Sequence, residues 1–147
     1  MPHINLSMTQ SGPLVDVWLA VSEPRQNALM QAKQPVPSPL KIRALLDTGA
    51  SCTAIDAMAI KKLQVPVTGT TPIWTPSTVG AAHTCNQYDV LLALLDINGN
   101  PMYLGTSVPV IESALASQGI DGLIGRDILG SAVFIYNGTA GHFTLSY

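Results

Sequence analysis

Charged residues are scarce in this sequence, and the basic ones do not cluster. Lysine and arginine number 7 against 9 aspartate and glutamate, which gives a formal net charge of −2 at pH 7. A nucleic-acid-binding surface needs a concentrated patch of positive charge to meet the phosphate backbone. We therefore expect no nucleic acid among the partners of this protein.

Long apolar runs are missing as well. No apolar segment reaches the roughly 18 residues that a membrane-spanning helix needs, and the start MPHINLSMTQ lacks the charged and then apolar pattern of a signal peptide. Two cysteines, Cys52 and Cys85, are too few for a disulfide framework and show no metal-ligand spacing. We expect a cytoplasmic protein with free thiols, no membrane contact, no metal and no other cofactor.

Apolar residues, in contrast, are plentiful. They make up 47% of the 147 residues, which is enough for one buried core but leaves no length for a second independent one. We interpret residues 1–147 as a single domain. With so few charges to cover the surface, some apolar surface is expected to be covered by a partner, which favours an oligomer.

The local pattern is that of a mainly β domain. Short apolar runs rich in β-branched residues alternate with Gly, Pro and Asn-Gly pairs, as in strands joined by hairpins. The segment Glu23 to Pro39 is polar and carries Pro35, Pro37 and Pro39 near its end, so we expect a long exposed loop there. Strands are predicted at residues 14–22, 40–46, 73–79, 84–97, 102–110, 132–136 and 142–146.

Helical signals are few and short. Asp56 can cap a short helix that ends near Leu63, and Glu112 to Gln118 is predicted to form a helical turn that Gly119 stops. Two-residue turns are predicted at Asn98-Gly99 and Asn137-Gly138. A tight bend at Gly80-Ala81-Ala82 joins two predicted strands in a hairpin that could project from the body, which we call the flap.

The most informative stretch is ALLDTGAS, residues 44–51, in which an apolar strand leads an acidic residue into a turn of small residues. Asp47 supplies a carboxylate, Thr48 a hydroxyl that can bond to the backbone, and Gly49 a bare backbone that a substrate can approach closely. Ala50 and Ser51 keep the surroundings small. An isolated Asp-Thr-Gly after a strand is often only a turn, so this stretch alone leaves both interpretations open.

A second stretch, IDGLIGRDIL at residues 120–129, places an apolar pair and a glycine before a short helix. Together the two stretches resemble the retropepsin family, the retroviral-type aspartic proteases and their cellular and bacterial relatives. In that family DTGA is the catalytic loop, and an apolar-apolar-Gly-Arg-Asp or Asn segment follows late in the chain. QYDVLLAL, residues 87–94, resembles the strand that leaves the family's flap, and the order of motifs agrees over residues 14–147.

The resemblance implies a closed, β-barrel-like acid protease fold with a flap hairpin and one or two short helices. Leu123-Ile124-Gly125 would thread behind the catalytic loop, and Arg126 to Leu129 would open the helix before the last strands. The implied activity is that of an aspartic endopeptidase acting on a polypeptide substrate. Because the chain has one such loop, it implies a homodimer in which two Asp47 residues meet across a two-fold axis.

Catalysis by such a pair would be general acid and base chemistry. Two adjacent carboxylates share one proton, so one Asp47 can accept a proton from water while the other protonates the scissile carbonyl oxygen. By resemblance, Thr48 would cross-link the two loops and Gly49 would bind substrate backbone. The remaining residues implied in substrate binding are Val79, Gly80 and Ala81 on the flap and Ala50, Ile55 and Ile124 as walls of apolar side-chain pockets.

The sequence departs from the retroviral pattern at several points. An acidic residue usually follows DTGA and pairs with the later arginine, but Ser51 stands there, so Arg126 needs another partner. The flap VGAAHT has a single glycine, which can change its closing geometry. Two alternatives stay open: a peptide-binding or dimerisation module that keeps the fold without catalysis, and a different β domain in which DTG is only a turn.

Overall fold

The computed structural model describes residues 3–75 and 79–147. Within these ranges the chain forms ten strands, three α-helices and one 3-10 turn, which spans Ala116–Gln118. The helices are α1 (Glu23–Gln31), α2 (Ala57–Leu63) and α3 (Arg126–Leu129). The strands are β1 (His3–Ser7), β2 (Leu14–Val21), β3 (Leu40–Leu46), β4 (Ala54–Asp56), β5 (Gly69–Ile73), β6 (His83–Leu95), β7 (Pro101–Ser113), β8 (Gly122–Ile124), β9 (Val133–Asn137) and β10 (His142–Ser146).

Six of the strands close into a barrel. The order is β2-β3-β8-β4-β7-β6, and the ring closes because β2 also pairs with β6. Along β2 the side chains of Val15, Val17 and Leu19 point inward and are buried, while Asp16 and Trp18 face outward. This alternation confirms the predicted mainly β, closed fold.

The segment predicted as a long loop before β3 is partly helical, which corrects that prediction. Its first half is α1, with Pro24 in the first turn, where a missing N–H costs no hydrogen bond. Leu29 is buried, and the side-chain amide of Gln26 donates to the backbone oxygen of Val21 at 2.6 Å. Pro35, Pro37 and Pro39 lie beyond the helix end, so they mark only the second half of the segment as irregular.

The hairpin predicted as the flap starts earlier than expected. Its first strand, β5, spans Gly69–Ile73 rather than 73–79, and it pairs with the first half of β6 in the register Ile73↔His83. Residues 76–78 lie outside the described residues. β5 pairs only with β6, outside the ring of six strands, and is therefore an edge strand of the described sheet. A proline such as Pro72 is tolerated in an edge strand.

Two other predicted turns differ in detail in the structure. The Asn98-Gly99 turn is a longer loop, because the carboxylate of Asp96 accepts hydrogen bonds from the backbone N–H groups of Asn98 and Asn100. Helical structure in the segment before Gly119 is confined to the 3-10 turn, since β7 runs on to Ser113. Gly119 ends the turn as predicted, with φ at +74°.

The remaining strands form a separate antiparallel sheet in the order β1-β10-β9. The predicted Asn137-Gly138 hairpin is confirmed, although its loop is longer than two residues. Phe143 and Leu145 on the central strand β10 are buried and belong to the same core as the barrel. The sheet is therefore anchored by one face against the barrel.

Candidate active site

The predicted catalytic aspartate lies at the point where β3 leaves the barrel. The backbone N–H of Asp47 donates to the oxygen of Ile124 at 2.9 Å, which continues the parallel pairing of β3 with β8. The carboxylate of Asp47 accepts a hydrogen bond from the N–H of Gly49 at 2.8 Å and is half-buried. Leu123-Ile124-Gly125 therefore runs behind the loop of residues 47–51, which we call the Asp47 loop.

Only a small residue fits at the third position of this loop. A Cβ atom on Gly49 would lie 3.0 Å from Oδ1 of Asp47, tighter than ordinary van der Waals contact. Any larger side chain would crowd the carboxylate as well. The glycine therefore keeps one side of Asp47 open, and the exposed backbone of Thr48 and Gly49 stays accessible.

Arg126 finds its partner in the loop itself. Its Nη1 donates to the backbone oxygen of Thr48 at 2.8 Å and lies 3.4 Å from that of Gly49. Its backbone N–H donates to the oxygen of Ala50 at 2.9 Å. These backbone oxygens thus take the place of the acidic partner that Ser51 does not provide, and the guanidinium fixes the backbone next to Asp47.

A second brace joins the far end of the loop to α3. Oδ2 of Asp127 accepts from the backbone N–H of Thr53 at 2.8 Å, and Oδ1 accepts from the Thr53 hydroxyl, also at 2.8 Å. The same hydroxyl accepts from the N–H of Gly125, where a Cβ atom would lie 2.6 Å from the backbone carbon of Cys52. Asp127 also accepts from the N–H of Ile128 at the start of its own helix, so it joins α3 to the segment that follows the Asp47 loop.

Asp47 opens into a groove of about 510 Å³ between the loop, the β5–β6 hairpin and the end of β7. Of the residues predicted to act on or bind substrate, it contains Asp47, Gly49 and Ala50. Val79, Gly80 and Ala81 are exposed at the bend of the hairpin, where Gly80 has a φ of +80°. The described residues that line the groove are Asp47, Gly49, Ala50, Ser51, Cys52, Ala54, Ile73, Trp74, Thr75, His83, Cys85, Ile111, Glu112, Ser113, Ala114 and Leu123.

Two predicted pocket walls are instead core residues. Ile55 and Ile124 are 0% exposed and pack inside the barrel, so neither lines the groove of this chain. Successive side chains of a strand point to opposite faces, and the groove is lined by the neighbour of each, Ala54 in β4 and Leu123 in β8. The resemblance therefore implied the correct segments, but the residue that faces the groove is one position earlier in each.

Sequence reasoning also missed a polar cluster at the end of β7. The carboxylate of Glu112 accepts from the side-chain amide of Asn86 at 2.7 Å and from the hydroxyl of Tyr88 at 2.9 Å. Burial raises the pKa of Tyr88, and so does its hydrogen bond to Glu112. Glu112 was predicted to begin a helical turn, so the sequence did not indicate this role. Only the pairing of β6 with β7 reveals it.

Both cysteines lie in the groove, one on each side. Cys52 follows the Asp47 loop, Cys85 lies on β6, and both pack partly buried against the same small apolar cluster. Burial raises the pKa of Cys85, with smaller contributions from the negative charge of Glu112 and from Cys52. His83 is exposed and begins β6 at the groove.

In the described part of the chain, no group of three or more His, Cys, Asp or Glu side chains is placed to hold a metal ion. Over the same residues, no helix is long and apolar enough to cross a membrane. Among the described residues that line the groove, Asp47 and Glu112 are the only acidic ones, and none is a lysine or an arginine. What the groove offers chemically is therefore a carboxylate beside an open, largely apolar channel.

No known family model matches the sequence, and no curated protein matches it. Solved structures do. A retropepsin-like aspartic protease from Rickettsia conorii is similar at a TM-score of 0.56 with 16% identity, covering 99% of this chain and 91% of that one. EIAV protease in complex with the inhibitor HBY-793 matches at a TM-score of 0.37 with 20% identity, over 61% of this chain and 75% of its own. The retroviral protease-like domain of Ddi1 from Leishmania major matches at 0.38 with 15% identity, over 85% and 82%.

The likeness to the Rickettsia protein extends over almost the whole of both chains. It shows that this chain has the fold of a retropepsin-like aspartic protease. The resemblance inferred from DTGA and from LIGRD is thereby confirmed at the level of the fold. The low identity leaves the activity to be argued from the site.

Proposed function

We propose that this chain is one subunit of a homodimeric aspartic endopeptidase. The observation that carries the proposal is the half-buried carboxylate of Asp47, which opens into a groove on a braced loop within a retropepsin-like fold. The chain has one DTGA loop, and the proposed mechanism uses one carboxylate as the base and a second as the acid. A second copy, related by a two-fold axis, supplies it.

The proposed reaction uses one proton shared between the two Asp47 side chains. Two negative charges repel at short range, so the pair holds a single proton. The ionised Asp47 accepts a proton from water, whose oxygen attacks the peptide carbonyl carbon, while the other Asp47 donates its proton to the carbonyl oxygen. The resulting gem-diol breaks its C–N bond as the nitrogen takes a proton, which releases an amine and a carboxylic acid.

Substrate binding is proposed along the groove. An extended polypeptide would form strand-like hydrogen bonds with the backbone of Gly49 and with the hairpin bend at Val79, Gly80 and Ala81, while Thr48 would link the two loops. Ala50 remains a proposed wall of a side-chain pocket. Apolar groove residues support a preference for apolar substrate side chains, and these are Ala54, Ile73, Ile111 and Leu123.

The direct test is cleavage of an unstructured protein such as casein by the wild type and by Asp47→Asn, between about pH 4 and 7, with and without a pepstatin-type inhibitor. We expect cleavage by the wild type that the inhibitor blocks, and a loss of about 10²–10⁴-fold in Asp47→Asn, the range for removing an acid or base. Asp16→Asn is the matched control. Its carboxylate lies on the barrel surface, paired with Lys41 and Arg43.

Two outcomes would overturn the proposal. Cleavage that survives in Asp47→Asn would assign the chemistry to another group. If the wild type and Asp47→Asn were equally inert but bound the same peptides, the chain would be a peptide-binding module with this fold, the alternative that the sequence left open.

A further inference from the structure

The groove that contains Asp47 is lined by a second carboxylate that the proposed mechanism does not use. It belongs to Glu112, which is half-buried near the end of β7. Its Oε1 accepts from the side-chain amide of Asn86 at 2.7 Å, and its Oε2 accepts from the hydroxyl of Tyr88 at 2.9 Å. Both donors are neutral groups, so these contacts orient the carboxylate without cancelling its charge.

No cation of the described residues is paired with Glu112. Within that part of the chain, the ion pairs join Asp16 to Lys41 and Arg43, on the barrel surface. The charge acts inside the groove, because the pKa of Cys85, which burial raises, is raised further by the negative charge of Glu112. A half-buried negative charge without a cation is costly, and a bound cationic group offsets that cost.

The carboxylate of Glu112 also has room for further hydrogen bonds. Each oxygen of a carboxylate can accept two, and each oxygen of Glu112 accepts one from the described residues. The guanidinium group of an arginine presents its donors in a planar fork that suits two carboxylate oxygens at once. A lysine ammonium offers the same charge but not the fork.

The walls of the groove suit the rest of such a side chain. Ile73, Ile111 and Leu123 line it, and they can pack against the methylene groups of a long side chain while its charged head reaches Glu112. In an extended peptide, successive side chains point in opposite directions, so one can reach Glu112 while its neighbours meet apolar walls.

The backbone around Glu112 is held in place on both sides. In the register of β4 with β7, Glu112 stands opposite Ile55. Just beyond the strand, Oδ2 of Asp56 accepts from the N–H groups of Leu115 and Ala116 at 2.8 and 2.9 Å. A carboxylate that is already fixed loses little conformational freedom when it binds a cation.

We propose that Glu112 determines specificity by binding a basic side chain of the substrate, arginine above all, at one fixed position relative to the bond that is cut. The inference rests on the proposed function and deepens it, because it names the substrates as polypeptides with a basic residue near the scissile bond. Apolar side chains remain the proposed occupants of the other positions along the groove.

The test uses short peptides of alanine, leucine and serine that carry one arginine at each position in turn, and the same peptides with glutamine there. All assays are run at about pH 6, above the ordinary pKa of a glutamate side chain. For the wild type we expect one position at which kcat/KM is about 10-fold or more higher with arginine than with glutamine, as for hydrogen bonds to a charged group.

Two variants change the charge at this position. Glu112→Gln keeps the size of the side chain and an acceptor for Asn86, and it is expected to bring the arginine-to-glutamine ratio of kcat/KM to about 1. Glu112→Lys is expected to favour peptides with glutamate instead. Glu23→Gln is the matched control, because it removes the same charge from an exposed residue of α1 that does not line the groove. It should keep the wild-type ratio, and circular dichroism checks that each variant is folded.

Binding of the fluorescein-labelled peptides to Asp47→Asn, with and without Glu112→Gln, is measured by fluorescence anisotropy and needs no turnover. A ratio that falls in Glu112→Gln but not in Glu23→Gln supports the inference. If Asp47-dependent cleavage shows no preference for arginine, or if the preference persists in Glu112→Gln, the inference is overturned and the proposed function stands.

Absence of cleavage is a separate outcome. If neither casein nor any peptide is cut, the proposed function fails, and the binding measurement decides on Glu112. Tighter binding of arginine peptides that Glu112→Gln abolishes would support the charged subsite. Equal binding of arginine and glutamine peptides, or no binding of either, would overturn it.

Discussion

At the scale of single residues, Asp56 shows how one carboxylate organises a neighbourhood. It is buried, caps α2 through the N–H of Met58, and accepts from the N–H groups of Leu115 and Ala116. Burial on its own would raise the pKa of Asp56, but these three backbone hydrogen bonds outweigh it and lower the pKa below its ordinary value of 3.8. The sequence predicted the cap, but the contact with the segment after β7 could come only from the fold.

Replacing Asp56 by alanine is expected to lower the free energy of unfolding by about 1–3 kcal/mol, since three N–H donors, that of Leu115 buried, lose their acceptor. Asp56→Asn retains one acceptor oxygen and should cost less. Chemical denaturation of both variants beside the wild type measures the difference. Equal stability of Asp56→Ala and the wild type would contradict the capping role.

The lowered pKa of Asp56 also gives the sign of its pH dependence. The unfolded chain binds a proton at a higher pH than the folded chain does, so the stabilisation is complete above about pH 4 and decreases as the pH falls from 3.8 through the lowered native value. The stability gap between the wild type and Asp56→Ala should therefore be narrower at about pH 3 than at about pH 7. Denaturation curves at the two values measure it, and a gap that widens in acid would contradict the assignment.

Cys85 gives a prediction of reactivity. Because its pKa is raised, mainly by burial, a smaller fraction is thiolate at a given pH than in a free thiol. In a Cys52→Ser variant, iodoacetamide should label Cys85 more slowly than it labels N-acetylcysteine at the same pH. Unfolding the variant in urea should remove the difference, and a folded rate equal to that of the free thiol would argue against it.

At the scale of elements, the pair Thr53–Asp127 ties the start of β4 to α3. In Asp127→Asn an NH₂ group replaces one carboxylate oxygen and cannot accept a hydrogen bond from the N–H or the hydroxyl of Thr53. We expect this change to cost about 1–3 kcal/mol of stability. Asp16→Asn loses only surface ion pairs and should cost no more than about 1 kcal/mol. Thermal unfolding of both variants provides the comparison. Equal losses of stability would show that the Thr53–Asp127 contact stabilises the fold no more than a surface ion pair does.

The elements also show what sequence can and cannot predict. β2, β3 and α2 were predicted nearly residue by residue, because each combines an apolar pattern with a clear cap or turn, and α3 was implied by the family resemblance. α1 was missed because its weak amphipathic pattern lies beside a proline-rich tail. The groove faces of β4 and β8 were assigned to Ile55 and Ile124, since strand alternation fixes two faces but does not say which one meets the groove. The contacts of Asp127 and Glu112 depend on pairings between distant strands and leave no local signal.

At the scale of the whole molecule, a single Asp47 per chain makes the proposed activity depend on assembly. When equal amounts of wild type and Asp47→Asn are mixed and allowed to exchange subunits, about a quarter of random dimers contain two Asp47 residues. The cleavage rate per wild-type chain is expected to fall to about half, because half of its partners carry asparagine. Adding Asp16→Asn in the same amount should cause no such loss. If the cleavage rate per wild-type chain is unchanged when Asp47→Asn is added, each chain is active without a partner.

The position of β8 between β3 and β4 has a consequence for the order in which a newly made chain acquires its site. The Asp47 loop is held by residues far along the chain, since Arg126 and Thr48 are 78 positions apart. During synthesis the amino-terminal part emerges first. The Asp47 loop can form its hydrogen bonds to these distant residues only after they have been synthesised. A ribosome-bound fragment that stops short of β8 thus lacks the strand that completes the loop. The order of synthesis itself keeps an unfinished chain from forming the proposed catalytic site.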